Sequence, residues 1–208
     1  MTEKRVLLFS LPFLLLIWII LANTHKRPTT FSLNVENQFT YGKSDAPVHM
    51  ILFEEFSCPL CQTLHKEALP FIENNYVESG KLKITIIPLA FLDDSVPACT
   101  LSLCIQKIAL THMKSFHDFL FELPEEDLIS FSFRDFVSAY IETHKTLPAP
   151  QILKCLREDT FDDAIEHNLS LAKKIYPKDI RVPIVLINGN LIKNADKTSI
   201  SKAIDEAL

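Results

Sequence analysis

The sequence predicts an α/β protein whose sheet is interrupted by a block of helices, and three observations carry that expectation. Met50 to Phe53 is a run of large apolar residues that reads as a buried strand, followed at once by a helical pattern of Leu64, Ala68, Phe71 and Ile72. From about 95 to 176 the texture is helical throughout. Strand character then returns at Pro183–Ile187, and Asn188-Gly189 leads into Leu191-Ile192 as a type I′ hairpin signal. The order strand, helix, strand, helical block, hairpin, helix is that of a sheet with an insertion.

Residues 1–27 are expected to be a signal-anchor. Lys4 and Arg5 precede an apolar stretch, 6–22, interrupted only by Ser10 and Pro12 and closed by Asn23 to Arg27. Its 17 residues meet the lower limit for crossing a bilayer (about 17 to 25) and exceed the ~7 to 15 of a cleaved signal. Ile20-Leu21-Ala22 is a poor cleavage site, because only its last residue is small. An anchor is therefore favoured, a cleaved signal stays open, and either exports the rest. Lys4 and Arg5 argue for an inside N-terminus, whereas Lys26 and Arg27 argue against it.

Residues 28–47 read as a linker and entry strand. Phe31 to Val35 alternates like a short edge strand, and Gly42 to Pro47 is turn chemistry. A central strand at 48–56 and a long helix at about 58–79, ended by Gly80 as a C-cap, come next. Leu82 to Ile87 alternates as a second strand, stopped by Pro88. Residues 48–94 and 177–208 thus make the α/β part, with 95–176 inserted as a helical subdomain. Within the insertion, Phe133, Phe136, Val137, Tyr140 and Ile141 recur at helical spacing behind Ser132. Phe161, Ala164, Ile165 and Ala172 do so behind Thr160. Stripes of this kind are core. A closing helix is expected from about Thr198 to Ala207.

Composition excludes several function classes. A net charge of −5 gives no reason to expect nucleic-acid binding. The chain has three glycines, which rules out glycine-rich phosphate loops and the Gly-x-Ser-x-Gly elbow. It has no His-Glu-x-x-His.

Chemistry concentrates at Cys58-Pro59-Leu60-Cys61. With five cysteines such a spacing arises by chance in about one chain in eight, so placement carries the inference. The pair sits where a strand gives way to a helix, whose first N–H groups lack intrahelical partners and whose dipole end is positive. Both effects favour the Cys58 thiolate, the form that attacks disulfides. Cys61 is near enough across the first turn to close a disulfide. Pro59 fits, because a first-turn proline gives up an N–H that had no partner. Half a zinc site and two buried cysteines are the alternatives. Zinc wants four ligands, and no second pair of ligand spacing appears, so no metal is expected.

The succession Asp45-Ala46-Pro47-Val48, Phe56-Ser57-Cys58-Pro59-Leu60-Cys61 and Leu69-Pro70 resembles the DsbA-like thiol–disulfide oxidoreductases. These are bacterial thioredoxin-fold proteins with a helical domain inserted in the sheet. The likeness continues through Phe116-His117-Asp118-Phe119-Leu120-Phe121 and resumes at Val182-Pro183 and Asn188-Gly189, covering roughly 41–208. It implies a thioredoxin fold and a redox-active Cys58–Cys61 disulfide with no other cofactor. It also implies cysteine-containing exported proteins as substrates and a membrane quinone-linked partner for reoxidation. The place of work would be the extracytoplasmic face of the bacterial inner membrane. By the same resemblance Pro183 matches a cis-proline facing the two cysteines, and Val182 presents backbone groups to an extended substrate.

Two departures from the family pattern matter. A buried acid often lies six residues before the first cysteine, and Leu52 stands there instead. Glu55, three before Cys58, matches another frequent acid and is open to either that role or a solvated one. Pro59-Leu60 replaces the Pro-His of strong oxidases, which implies a higher Cys58 pKa and a less oxidising potential. Cys104 and Cys155 match positions where relatives carry cysteine, and the resemblance implies a structural disulfide across the helical block. Cys99 is then left over as a buried thiol. His65, one turn past Cys61, reads as a helix-surface residue; His112, His117, His144 and His167 lack ligand spacing.

Overall fold

The structure, a computed structural model, describes residues 29–91, 95–123, 140, 141, 143–158 and 161–208. The expected anchor at 1–27 lies outside them, as do the Phe133–Val137 part of one stripe and the caps Ser132 and Thr160. Among the described residues no helix is long and apolar enough to cross a membrane.

A mixed five-stranded sheet runs β1 (Phe39–Gly42), β3 (Leu82–Leu89), β2 (Val48–Glu55), β4 (Ile184–Ile187), β5 (Asn190–Ile192) in spatial order. β2 and β3 are parallel, and the other neighbours are antiparallel. A parallel pair needs a crossover, which the helical run 59–77, α1, provides. β2 is buried at every position but His49, which is why it reads as a continuous apolar run. Its pleat divides the core. Val48, Met50 and Leu52 face one cluster with Leu64, Leu69 and Ile72 of α1, while Ile51 and Phe53 face a second with Leu171, Ala172 and Ile175.

The first strand is not where sequence alternation puts it. Phe31, Leu33 and Val35 pack against the second cluster without a ladder. Only Thr30 bridges Asn190, and the Phe31 amide donates to the Gly189 carbonyl at 2.7 Å. Strand pairing begins instead at Phe39, opposite Ile86 of β3, in residues that read as linker and turn. Pro88 does not stop β3, which continues to Leu89 in register with Glu55. β1 pairs only as far as Ile86, so no strand on that side needs the missing N–H. The Pro88 carbonyl is taken by the Asn168 amide at 2.9 Å.

α1 is not a uniform α-helix. It opens as an α turn at Pro59–Thr63, widens to π turns at Leu64–Ala68 and Glu73–Val77, and has an α turn at Leu69–Ile72 between them. Pro70 would clash with the carbonyl four residues back in a regular helix, and the wider turn just before it gives room. At the far end Gly80 (φ 75°) closes the run. Its amide bonds Val77 O at 2.9 Å and the Lys81 amide bonds Tyr76 O at 2.9 Å, the two hydrogen bonds of a Schellman motif.

Among the described residues the inserted block has α2 (Val96–Ile108), a 3₁₀ turn at Leu110–His112, α3 (Met113–Glu122), α4 (Ala149–Glu158) and α5 (Asp162–Ile175). Cys104 of α2 and Cys155 of α4 are joined by a disulfide with their Cα atoms 6.0 Å apart. Tyr140 is fully buried, its ring edge-on to Phe116 with centroids 5.0 Å apart, in keeping with a core stripe. The Asn188-Gly189 turn has positive φ at both residues (46° and 80°), and a Cβ on Gly189 would meet Phe31 O at 2.5 Å. Only glycine fits there. α6 (Lys197–Ala207) closes the chain, capped by Asp196 accepting from the Ser199 amide at 2.8 Å.

Candidate active site

The sheet register brings the site together. β2 ends at Glu55, and the Cys58 amide donates back to Glu55 O at 3.1 Å, a tight turn that delivers Cys58 to the start of α1. β4 runs antiparallel to β2 with Ile184 opposite Phe53. The residues just before Ile184 must therefore lie beyond the end of β2, beside Cys58. The Val182–Pro183 peptide bond is cis, and Cys58 Sγ is 3.8 Å from the Val182 carbonyl oxygen. Cys58, Val182 and Pro183 thus meet, although 124 residues separate the first two.

Cys58 is the N-cap of α1 in an extended conformation (φ −86°, ψ 118°), with Pro59 next. A residue before proline is biased to that region. Its thiol is half-buried, whereas Cys61 is fully buried; both are free thiols here. The Cys61 thiol donates to the Cys58 sulfur, and the backbone N–H groups of Cys61 and Leu60 point at it. These outweigh the opposing effect of burial and bring the Cys58 pKa to about 6. Burial pushes the Cys61 thiol far up, and donation to Cys58, the Cys58 charge and the nearby Glu54 carboxylate add to this. A backbone hydrogen bond from Glu55 works against them. At neutral pH one sulfur is ionised and reachable, and the other holds its proton.

Leu60 is 65% exposed beside this sulfur. It borders a groove of about 740 Å³ that also takes in Val182, Pro183, Tyr176 and Ile192. Glu55 is fully buried, so the solvated reading fails. It is the last residue of β2, and its charge raises the Cys99 thiol. Cys99 is itself buried and free, its pKa pushed up to about 12, first by burial and then by Glu55. Leu52 is plain core.

Sequence reasoning missed Glu54. It is fully buried, with His65 Nε2 2.7 Å from Oε2 and His117 Nδ1 2.7 Å from Oε1. Burial alone would raise this carboxyl, but the two imidazoles, by charge and hydrogen bond, hold it down at about 2. The helix-surface reading of His65 is therefore wrong. Its side chain is 7% exposed and stacks on Phe121 with centroids 3.7 Å apart. His117 lies 3.4 Å from Ser102 Oγ. The three residues come from β2, α1 and α3, so no local spacing announces them. Two adjacent acids at the end of a buried strand were the one available signal, because an inward-facing Glu54 needs a partner. Among the described residues no group of three or more His, Cys, Asp or Glu is arranged to hold a metal ion.

Known proteins resemble the chain along most of its length. The profile of the family described as thioredoxin matches residues 34–206. A probable disulfide bond formation protein D from Bacillus cereus is 27% identical over 207 residues, covering 97% of this chain and 94% of its own. The disulfide bond formation protein D of Bacillus subtilis is 23% identical, over 84% and 79% of the two chains. Among solved structures, oxidised BdbD from Bacillus subtilis superposes with a TM-score of 0.73 at 22% identity, covering 86% of this chain and 97% of that one. DsbA from Chlamydia trachomatis does so with 0.72 at 20%, over 86% and 96%. These two structural likenesses show the thioredoxin fold. The chain belongs to the thioredoxin family, as a DsbA-like protein disulfide oxidoreductase.

Proposed function

We propose that the protein works as a dithiol oxidase, moving the Cys58–Cys61 disulfide into cysteine-containing exported proteins. The observation that carries this is a half-exposed Cys58 sulfur held ionised near pH 6, beside the Val182 carbonyl and an open groove. Stabilising the thiolate stabilises the reduced enzyme, and that makes the corresponding disulfide a better oxidant.

In the forward direction a substrate thiolate attacks Cys58 Sγ of the enzyme disulfide. The Cys58–Cys61 bond breaks, and Cys61 leaves with the electron pair and takes a proton, as its burial demands. A mixed disulfide now joins Cys58 to the substrate. The substrate's second thiolate attacks its own sulfur in that bond and expels Cys58 as a thiolate, a good leaving group at pKa about 6. The substrate has lost two electrons and two protons, and the enzyme is left reduced. Val182, reached across the cis bond to Pro183, offers its backbone to an extended substrate as an added strand. Pro59 starts the helix, Leu60 gives the substrate an apolar contact, and buried Glu55 takes the part in proton transfer to and from Cys61 that its position in the family pattern implies.

By resemblance to the family, the reduced enzyme is reoxidised by a quinone-linked membrane partner. The workplace is the extracytoplasmic face of the bacterial envelope, with 6–22 as anchor unless the segment is cleaved. A reductase or isomerase is the second reading, since direction follows potential. A non-catalytic chaperone or copper-binding module could use the same pair of cysteines without turnover, but the oxidoreductase relatives speak against it.

Equilibration with glutathione decides the direction. The expected potential lies between those of thioredoxin, about −270 mV, and DsbA, about −120 mV. A value at the thioredoxin end overturns the oxidase direction, and one at the DsbA end overturns the weakening assigned to Leu60. A carrier would neither oxidise a dithiol peptide nor reduce insulin.

A further inference from the structure

The groove beside Cys58 is unevenly charged. Arg181, Lys193 and Lys197 line it on the cationic side, Glu67 and Asp196 on the acidic side. Asp196 is committed elsewhere. As the N-cap of α6 it accepts from the Ser199 amide at 2.8 Å and the Ser199 hydroxyl at 3.0 Å, and the positive end of that helix offsets its charge. Lys197 leans over the Phe71 ring, its Nζ 5.4 Å from the centroid. Arg181 and Lys193 are both exposed, and neither pairs with an acidic group among the described residues. Of the two acids among the described residues that line the groove, only Glu67 is left uncommitted against them. This cationic rim belongs to a chain of net charge −5, so it runs against the overall field.

We propose that the groove selects cysteine-containing segments with acidic residues flanking the reacting cysteine, recognised by Arg181 and Lys193. The inference rests on the oxidoreductase reading and names its preferred substrate class. Arg181 directly precedes Val182, the residue that would pair with an extended substrate. A strand rises about 3.3 Å per residue, so an acid within two or three positions of the substrate cysteine comes level with Arg181. On the neighbouring strand, β5 ends at Ile192, opposite Val185 of β4, and places Lys193 at the same groove. Opposite charges at such a rim raise the encounter rate and fix register more than they deepen a bound state. Exposed Leu60 supplies apolar contact that does not depend on charge.

Three dithiol peptides of one length test this, their cysteines flanked by glutamate, glutamine or lysine. Each is mixed with oxidised protein, and the single-turnover oxidation rate is read at low salt and at 0.5 M NaCl. The expected order is acidic, neutral, basic, with about tenfold between the extremes at low salt and a ratio that shrinks with added salt. Arg181→Glu combined with Lys193→Glu should invert the order. Lys81→Glu, at the opposite end of the sheet, should preserve it. Alkylation of reduced Cys58 by neutral iodoacetamide, measured for each variant, corrects for any change in the thiolate itself. Equal rates for the three peptides at low salt, or an order unchanged in the double variant, overturn the selectivity while leaving the oxidoreductase reading intact. Failure to oxidise even the neutral peptide would overturn both.

Discussion

Two cysteine pairs share this chain and are built for opposite ends. Cys58 and Cys61 lie in one helical turn, one sulfur half-exposed and surrounded by donors, the other buried. Cys104 and Cys155 are separated by 51 positions, tie α2 to α4, and are both buried. The first pair can exchange because one sulfur is reachable and its thiolate is stabilised before any substrate arrives. The second can only hold, because no attacking thiolate can reach it. Reactivity thus follows from where the fold puts a sulfur and which amides it faces. The deciding feature is a helix start at the end of a central strand.

Removing the reactive sulfur gives the sharpest break between the pairs. Cys58→Ser should lower dithiol-peptide oxidation at least about a thousandfold, and Cys61→Ser should instead accumulate the mixed disulfide, visible by non-reducing electrophoresis.

Glu54 comes next. Replacing it with alanine leaves His65 and His117 facing a void, and should cost about 3 to 5 kcal/mol in urea unfolding. Its folded pKa, about 2, is below its ordinary 4.5, so its stabilisation is fully present above pH 4.5 and is lost as pH falls towards 2. The acid limb of the stability curve should therefore flatten in Glu54→Gln. An unchanged limb would remove the carboxylate from the list of stabilising groups.

Opening the other pair should be costly to the fold and silent at the site. Cys104→Ala with Cys155→Ala should lose up to about 4 kcal/mol by loop entropy, with peptide oxidation altered less than about twofold. A collapse of exchange rate in a still-folded variant would mean that the two pairs are not independent.

Titration gives a subtler contrast. Alkylation of Cys58 should rise with pH to a midpoint near 6, against 9 for an ordinary cysteine. The sign follows from the lowered folded pKa. The thiolate's contribution to stability is complete above about pH 9 and fades as pH falls through 6, so reduced protein should gain on oxidised protein as pH rises across that interval and lose ground as it falls. The smallest effect is expected from Leu60→His. A positive neighbour should shift the midpoint down by about one unit and raise the potential by about 30 mV; no movement would mean that Leu60 is not what sets the thiolate.

How much of this the residues announced depends on range. The strand–helix junction at Cys58, the Gly80 cap and the Asn188-Gly189 turn are local signals and stand in the structure as read. The Val182–Pro183 pair opposite Cys58 came through family likeness, since nothing local links Cys58 to Val182, 124 positions away. The Glu54–His65–His117 cluster stayed hidden for the same reason, spanning separations of 11 and 63. β1 was missed because the alternation at Phe31 to Val35 drew the edge strand there and Gly42 to Pro47 reads as turn chemistry, whereas pairing with β3 decides strand formation. Pro88 was misjudged because its tolerance depends on where β1 ends.

One consequence of the register between β2 and β4 concerns timing. A chain made from its N-terminus finishes the Cys58 turn long before the residues that complete the groove exist. The nucleophile must wait until Val182, Pro183 and the groove residues up to Thr198 have been added and docked. A chain cut short there would keep both thiols and the helix that activates one of them, yet have nowhere to seat a client.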